Sequence, residues 1–218
     1  MNPLPTLAVI GGTGALGGGL AKRWAKAGYP VILGSRDAAK AAEAAKELPG
    51  ARGLSNADAA KAGDIVIVAV PYSNHKAILA EIKDAAQGKI VVDTTVPLVP
   101  PKVGTVHIPD GSAAVQAQRI LGDGVKVVSA CQNVSAHKLH KDAAIDCDVL
   151  VCGDDKDARE TVIGLIGALG MRGLHAGPIA NSLAAEAMTS LLISINKRYK
   201  IDGAGIRITG EPASAGGA

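Results

Sequence analysis

Six short runs rich in Val and Ile recur along the chain: "LAVIG", "PVILGS", "DIVIVAVP", "KIVVDTT", "VKVVSA" and "DVLVCG". Several lack the alternation of apolar and polar residues that marks a strand with one wet face, so they predict strands covered on both sides, as in a parallel sheet. Between them lie stretches of helical character: residues 16–27, "DAAKAAEAAKEL", the segment after Pro71, and "GSAAVQAQRIL". Strand and helix alternating with short Gly and Pro breaks predicts right-handed βαβ units and an α/β, doubly wound, mostly parallel sheet.

After Gly153 the rhythm changes. "DDKDARETVIGLIGALG" reads as a helix, "MRGLHAGP" as a short extended segment and "NSLAAEAMTSLLISINKRYK" as a long apolar helix. At 218 residues the chain suits one main domain with an appendage. The expected division is a nucleotide-binding domain over 1–153, a small helical C-terminal domain over 154–208 for substrate and dimer contacts, and a disordered tail over 209–218. In the last helix Leu183, Ala187, Leu191 and Ile195 share one stripe, which Met188 and Leu192 widen. So much apolar surface in a terminal element predicts packing against a second subunit as well as its own domain.

The first strand run leads into a glycine-rich turn, and Gly12-Thr13-Gly14-Ala15-Leu16-Gly17 fits G-x-G-x-x-G between a strand and a helix. Gly12 is expected to make the tight turn, Gly14 to let the backbone approach a pyrophosphate, and Gly17 to let helix and strand pack closely. Free N–H groups at the helix start, with the positive end of its dipole, would face the phosphates, and Thr13 offers a hydroxyl donor. Gly18 and Gly19 sit inside the helix, where each costs up to about 1 kcal/mol against Ala. That cost predicts that the helix start lies close to the neighbouring strand or to the bound cofactor.

The end of the second strand selects the dinucleotide. An NAD site places Asp or Glu there for the ribose 2′-hydroxyl, whereas "ILGSRDAAK" offers Ser35 and Arg36, with Lys40 four residues after the arginine. A carboxylate would repel a 2′-phosphate, and a guanidinium binds it with two parallel hydrogen bonds. Asp37 is expected to cap the second helix and face away from the phosphate. The pattern points to NADP(H).

Composition narrows the rest. There is no Phe, one Trp and three Tyr, so stacking platforms for bases are nearly absent, and the net charge of +3 is not clustered. Neither nucleic-acid binding nor a membrane span is expected, and a soluble cytoplasmic protein follows. Cys131, Cys147 and Cys152 form no metal-ligand spacing and read as buried free thiols. Of the five histidines, His75, His137 and His140 fall near expected ligand loops, where a solvated or capping role is the commoner one, and His107 and His175 carry no signal. Gln132, Asn133 and Asn181 offer amides to a nicotinamide or a pyrimidine edge. No metal, catalytic acid, base or nucleophile is expected.

The chain also resembles a known family, the NADPH-dependent reductases of coenzyme F420, or F420H2:NADP oxidoreductases. The similarity runs through "GGTGALG", "GSRDAAK", "VPYSNH", "KIVVDTTVPL", "VVSACQNVSAHKL", "DVLVCGDD", "AGPIANSLAAEAMTSLL" and "GIRIT". "VCGDD" followed by "AGP-x-x-N" is the specific part. The resemblance implies a homodimer that moves hydride between NADP(H) and the deazaflavin coenzyme F420, held face to face between the Rossmann domain and the C-terminal domain. Beside the Gly12 of the glycine motif, it places cofactor contacts on Thr13, Gly14, Ala15 and Leu16, on Ser35, Arg36 and Lys40, and on Val70, Asn74, Val96 and Ala136, with a deazaflavin contact on Ala204. Hydride transfer between two carbon centres is carried by the coenzymes, which explains the lack of an acid, base or nucleophile. The residues themselves leave open an NADPH-dependent reductase of a flavin or pterin acceptor and a non-catalytic NADPH-binding redox sensor. A β-hydroxyacid-type dehydrogenase would need a Lys that "NSLAAEAMTSLLISIN" lacks.

Overall fold

The structure, a computed structural model, describes residues 3–98, 104, 108, 109 and 111–210. The expected tail beyond residue 210, and His107, lie outside the described residues.

The six Val/Ile runs all become strands: β1 (Leu7–Ile10), β2 (Val31–Ser35), β4 (Ile65–Val68), β5 (Ile90–Asp93), β6 (Lys126–Ser129) and β7 (Asp148–Gly153). Two more, β3 (Arg52–Ser55) and β8 (Arg172–His175), complete an eight-stranded sheet of order β3-β2-β1-β4-β5-β6-β7-β8. Its first six strands are parallel in the register Leu7↔Val31 and Leu7↔Ile65 at the centre. β7 runs antiparallel to β6, and β8 runs parallel to β7. The sheet is therefore mostly parallel and doubly wound, as the unalternating strands require.

The two-residue strand period divides the core between the faces. Leu7 and Val9 point to one side with Trp24 and Leu33, while Ala8 and Ile10 point to the other with Ile78 and Leu79. Helices α1 (Ala15–Lys26), α2 (Ala38–Ala45), α3 (Asn56–Ala62), α4 (Tyr72–Ile82), α5 (Ala113–Leu121), α6 (Ala136–Leu139), α7 (Lys156–Ala168) and α8 (Ser182–Tyr199) cover the sheet and its edge. Trp24 in α1 is buried and donates from Nε1 to the Leu165 carbonyl of α7 at 2.9 Å, so an early and a late helix share one core.

The residue expected to separate two domains, Gly153, ends β7 inside this sheet. α7 and β8 continue the same core and sheet, and α8 follows them. α8 turns a partly polar side inward: Ser182, Ala185 and Glu186 are buried, whereas Leu183, Leu191 and Ile195 of the expected apolar stripe are 50%, 62% and 37% exposed. That stripe is not core in the single chain.

Candidate functional site

The strand order reverses between β1 and β4, and in an open parallel sheet the crevice beyond the strand ends at such a point is where ligands bind. The glycine-rich turn lies there. The tight turn falls on Gly11, not on Gly12 as expected: Gly11 has φ +79°, and a Cβ on it would stand 2.4 Å from the Ala69 carbonyl oxygen. A Cβ on Gly17 would stand 2.5 Å from the Gly11 carbonyl oxygen, so the first turn of α1 rests directly on the glycine turn. Gly19 presses not on the neighbouring strand but on α6: its Cβ would meet Leu139 Cβ at 2.6 Å.

Asp37, Ser55, Ser112 and Asp155 cap α2, α3, α5 and α7 with side-chain oxygens, whereas α1, α4, α6 and α8 have no side-chain cap. Of these four starts, those of α1 at Gly14 and α4 at Pro71 border the crevice, and unsatisfied helix N–H groups favour an anion.

Two adjoining hollows share Gly14, Ala69, Val70 and Pro71. The first, about 220 Å³, brings Thr13, Gly14, Ser35, Arg36, Val70 and Asn74 together with Asn56 and Ile78. Its lining holds one cation and no carboxylate. Asp37 is turned aside as expected: its Oδ1 accepts the Lys40 backbone N–H at 3.1 Å and caps α2. Lys40 does not join this lining; its ammonium lies 3.9 Å from the Asp37 carboxylate on the exposed flank. Gly12 lines a separate hollow across the turn, with Thr13, Gly14, Gly18 and His140.

The second hollow, about 340 Å³, is walled by Ala15, Leu16, Val70, Pro71 and Val96 together with Thr94, Thr95, Leu98 and Thr189. Among the described residues, the only ionisable side chain lining the two hollows is Arg36. A third, smaller hollow of about 100 Å³ contains Ala204, whose N–H donates to Asn196 Oδ1 at 2.7 Å, and meets the second at Thr189. Ala136 lines none of these three; it opens α6, with its carbonyl against Gly19.

Under the second hollow lies a buried polar cluster that sequence inspection missed. His75 is not solvated or capping: it is fully buried, with Nε2 2.7 Å from Asp93 Oδ2. Burial alone would lower the His75 pKa, but Asp93, with smaller help from Gln116 and Glu186, holds it above its ordinary value. Glu186 of α8 accepts the N–H groups of Ala113 and Ala114 at 2.8 and 3.1 Å and so caps α5 from outside; burial pushes its pKa up to about 7. Asn56, in the first hollow, was missed as well.

Gln132 and Asn133 line the third hollow, and their NH2 groups, like that of Asn181, are engaged inside the protein. Gln132 Nε2 donates to the Asp93 carbonyl and Ser129 Oγ, Asn133 Nδ2 to the Ala185 carbonyl and Thr189 Oγ1, and Asn181 Nδ2 to the Ala176 carbonyl. His140 Nε2 lies 2.7 Å from the Ala15 carbonyl, and His137 pairs with Ser135 and Asp202. All three cysteines are buried, and burial raises Cys131 to about 12 and Cys152 to about 11. Among the described residues no three His, Cys, Asp or Glu side chains could hold a metal ion together, and no helix is long and apolar enough to cross a membrane.

A glycine turn at the switch point, uncapped helix starts and an arginine at the end of β2 define a Rossmann-type dinucleotide-binding protein. A family model described as coenzyme F420-dependent NADP oxidoreductase matches residues 6–97. The chain is 43% identical to the F420-dependent NADP reductase of Methanocaldococcus jannaschii, over 93% of this chain and 97% of that one. It is 40% identical to the enzyme of the same name from Methanothermobacter thermautotrophicus, over 94% and 95%. A crystal structure from Arthrobacter sp. FB24, of a candidate F420-dependent NADP-reductase, superposes with a TM-score of 0.82 at 25% identity, covering 94% of this chain and 98% of that one. The chain belongs to the F420-dependent NADP oxidoreductase family.

Proposed function

We propose that the protein transfers hydride between NADP(H) and the deazaflavin coenzyme F420, as a homodimer in the cytoplasm. The observation that carries this reading is the 43% identity, over 93% of the chain, to an F420-dependent NADP reductase, joined to a cleft whose one charged lining residue among those described is Arg36.

The residues that line the cleft suit the two halves of the cofactor. Gly11 and Gly17 let the turn and the first turn of α1 pack backbone to backbone, where a Cβ would collide, and the uncapped start of α1 at Gly14 offers N–H groups for the pyrophosphate, with Thr13 beside them. Ser35 and Arg36 take the 2′-phosphate, and Lys40 adds a cation once its side chain leaves Asp37. Asn74 lines the first hollow, and Val70 connects it to the second, where Ala15, Leu16, Pro71 and Val96 form a largely apolar seat for the ring. Ala204, in the hollow beyond Thr189, faces the deazaflavin, and Gly12 and Ala136 support the turn and α6 from behind.

When bound, the two coenzymes supply hydride donor and acceptor at the nicotinamide C4 and the deazaflavin C5. The protein's part is to orient the rings, hold them close and exclude water, work that the apolar Ala15, Leu16, Val70, Pro71 and Val96 of the second hollow suit. A turnover assay with NADPH and F420, run beside flavin and pterin acceptors, tests the reading. Coupled loss of both NADPH and F420 absorbance supports it; turnover with a flavin or pterin alone, or with none of them, overturns it.

A further inference from the structure

The two walls of the second hollow come from different loops. Ala69, Val70 and Pro71 follow β4 and lead into α4, and Thr94, Thr95 and Val96 follow β5. His75, in the first turn of α4, and Asp93, the last residue of β5, meet directly beneath them. We propose that the buried His75–Asp93 pair is a positioning device for the ring half of the cofactor, tying the two walls together and fixing the 94–96 turn on which the ring rests. The proposal rests on the cleft being an NADP(H) site.

Every acceptor of Asp93 is used to hold a loop at the cavity. Its Oδ2 takes His75 Nε2, its Oδ1 accepts the Thr95 N–H at 3.0 Å, and its carbonyl accepts from Ala130 N and Gln132 Nε2 at 3.2 and 2.9 Å. On the same turn Thr94 donates from both N and Oγ1 to the Val68 carbonyl, at 3.1 and 3.0 Å. Both His75 and Asp93 are fully buried, and a buried ion pair adds little net stability over apolar side chains of the same volume. What an apolar pair could not do is accept the Thr95 N–H. Without that acceptor the N–H is buried and unpaired, and the turn must move to find a partner. The other polar groups facing the pair, Gln116 from α5 and Glu186 from α8, act on His75, and Glu186 is engaged by the start of α5. Asp93 and His75 line neither hollow, so they act through the turn rather than on the ligand.

The test compares two ligands of the purified protein by calorimetry: NADPH, and 2′,5′-ADP, which carries the 2′-phosphate half and no nicotinamide. In Asp93→Ala the loss of one hydrogen bond that seats the turn is expected to weaken NADPH about tenfold, with 2′,5′-ADP unchanged. Asp93→Asn, which keeps an acceptor for the Thr95 N–H, should restore NADPH affinity to near wild type. A merely structural role would weaken both ligands together, and that result, or an Asp93→Ala variant that binds both as wild type does, overturns the proposal. If Asp93→Ala does not fold, His75→Leu is read on the same two ligands: selective loss of NADPH supports the device, and an unchanged ratio of the two affinities overturns it. Failure of the wild type itself to bind either ligand would instead overturn the NADP(H) reading of the cleft.

Discussion

At position 36 a guanidinium stands beside Ser35 at the mouth of a hollow lined by no carboxylate. Charge-assisted hydrogen bonds are worth about 1.5–3 kcal/mol, so Arg36→Ala should weaken NADPH by roughly ten- to a hundredfold in equilibrium titration, with NADH binding little changed. Equal loss for both nucleotides would place Arg36 away from the 2′-phosphate. This residue was legible in the sequence because its meaning is local: a strand end, a missing acid, a cation. Asp37 was legible for the same reason, since a cap bonds within its own helix turn. What the spacing of Lys40 from Arg36 could not reveal is that its ammonium lies 3.9 Å from the Asp37 carboxylate on the open flank. His75 and Asp93 were hidden for a different reason. They are 18 residues apart, and only the crossover from β4 through α4 to β5 brings them into contact.

Among the elements, α8 departs most from its sequence pattern. Its apolar stripe is exposed, and its inner side carries Glu186, whose burial is compensated by two N–H groups of α5. Nothing in "LAAEAM" signals this, because the partner is a helix start some seventy residues earlier. The consequence is a particular pH dependence. Burial lifts Glu186 from the ordinary 4.5 to about 7, so between these values the folded chain holds a proton that the unfolded chain has lost. Stability is then greatest below about pH 4.5 as far as this group is concerned, and is lost as pH rises through 7. His75, held above its ordinary value of 6.5, acts with the same sign: its contribution is present below that value and fades as pH rises through the folded one. The paired carboxylates Asp148 and Asp155 act oppositely, at acid pH, where their lowered pKa values make protonation destabilising. Thermal unfolding should therefore show the melting temperature falling from about pH 5 to about pH 8, and Glu186→Gln should flatten much of that fall; an unchanged slope contradicts the clamp. Elsewhere the strands and longer helices were readable, whereas α3 and α6 were not. Seven and four residues hold too few turns to display a helical period, and β3 consists of "RGLS", which has no apolar run.

For the whole molecule, the strand runs predicted the doubly wound sheet because burial on both faces leaves a continuous apolar pattern. They did not reveal that α7 and β8 extend that same sheet past Gly153, since β8 has one leucine and no β-branched residue. The exposed Leu183, Leu191 and Ile195, with Tyr199 at 70% exposure, form the surface on which we place the dimer contact. Sedimentation at micromolar concentration should show a dimer for the wild type and a monomer for Leu191→Asp; a wild-type monomer contradicts that placement. The central claim is direct exchange of hydride between two rings seated in one continuous cleft. It is tested most directly by supplying NADPH deuterated at the transferable C4 position, with F420 in ordinary water, and locating the label. The account predicts deuterium at C5 of the reduced deazaflavin. Reduced deazaflavin carrying solvent hydrogen at C5, or no reduction at all, would contradict it.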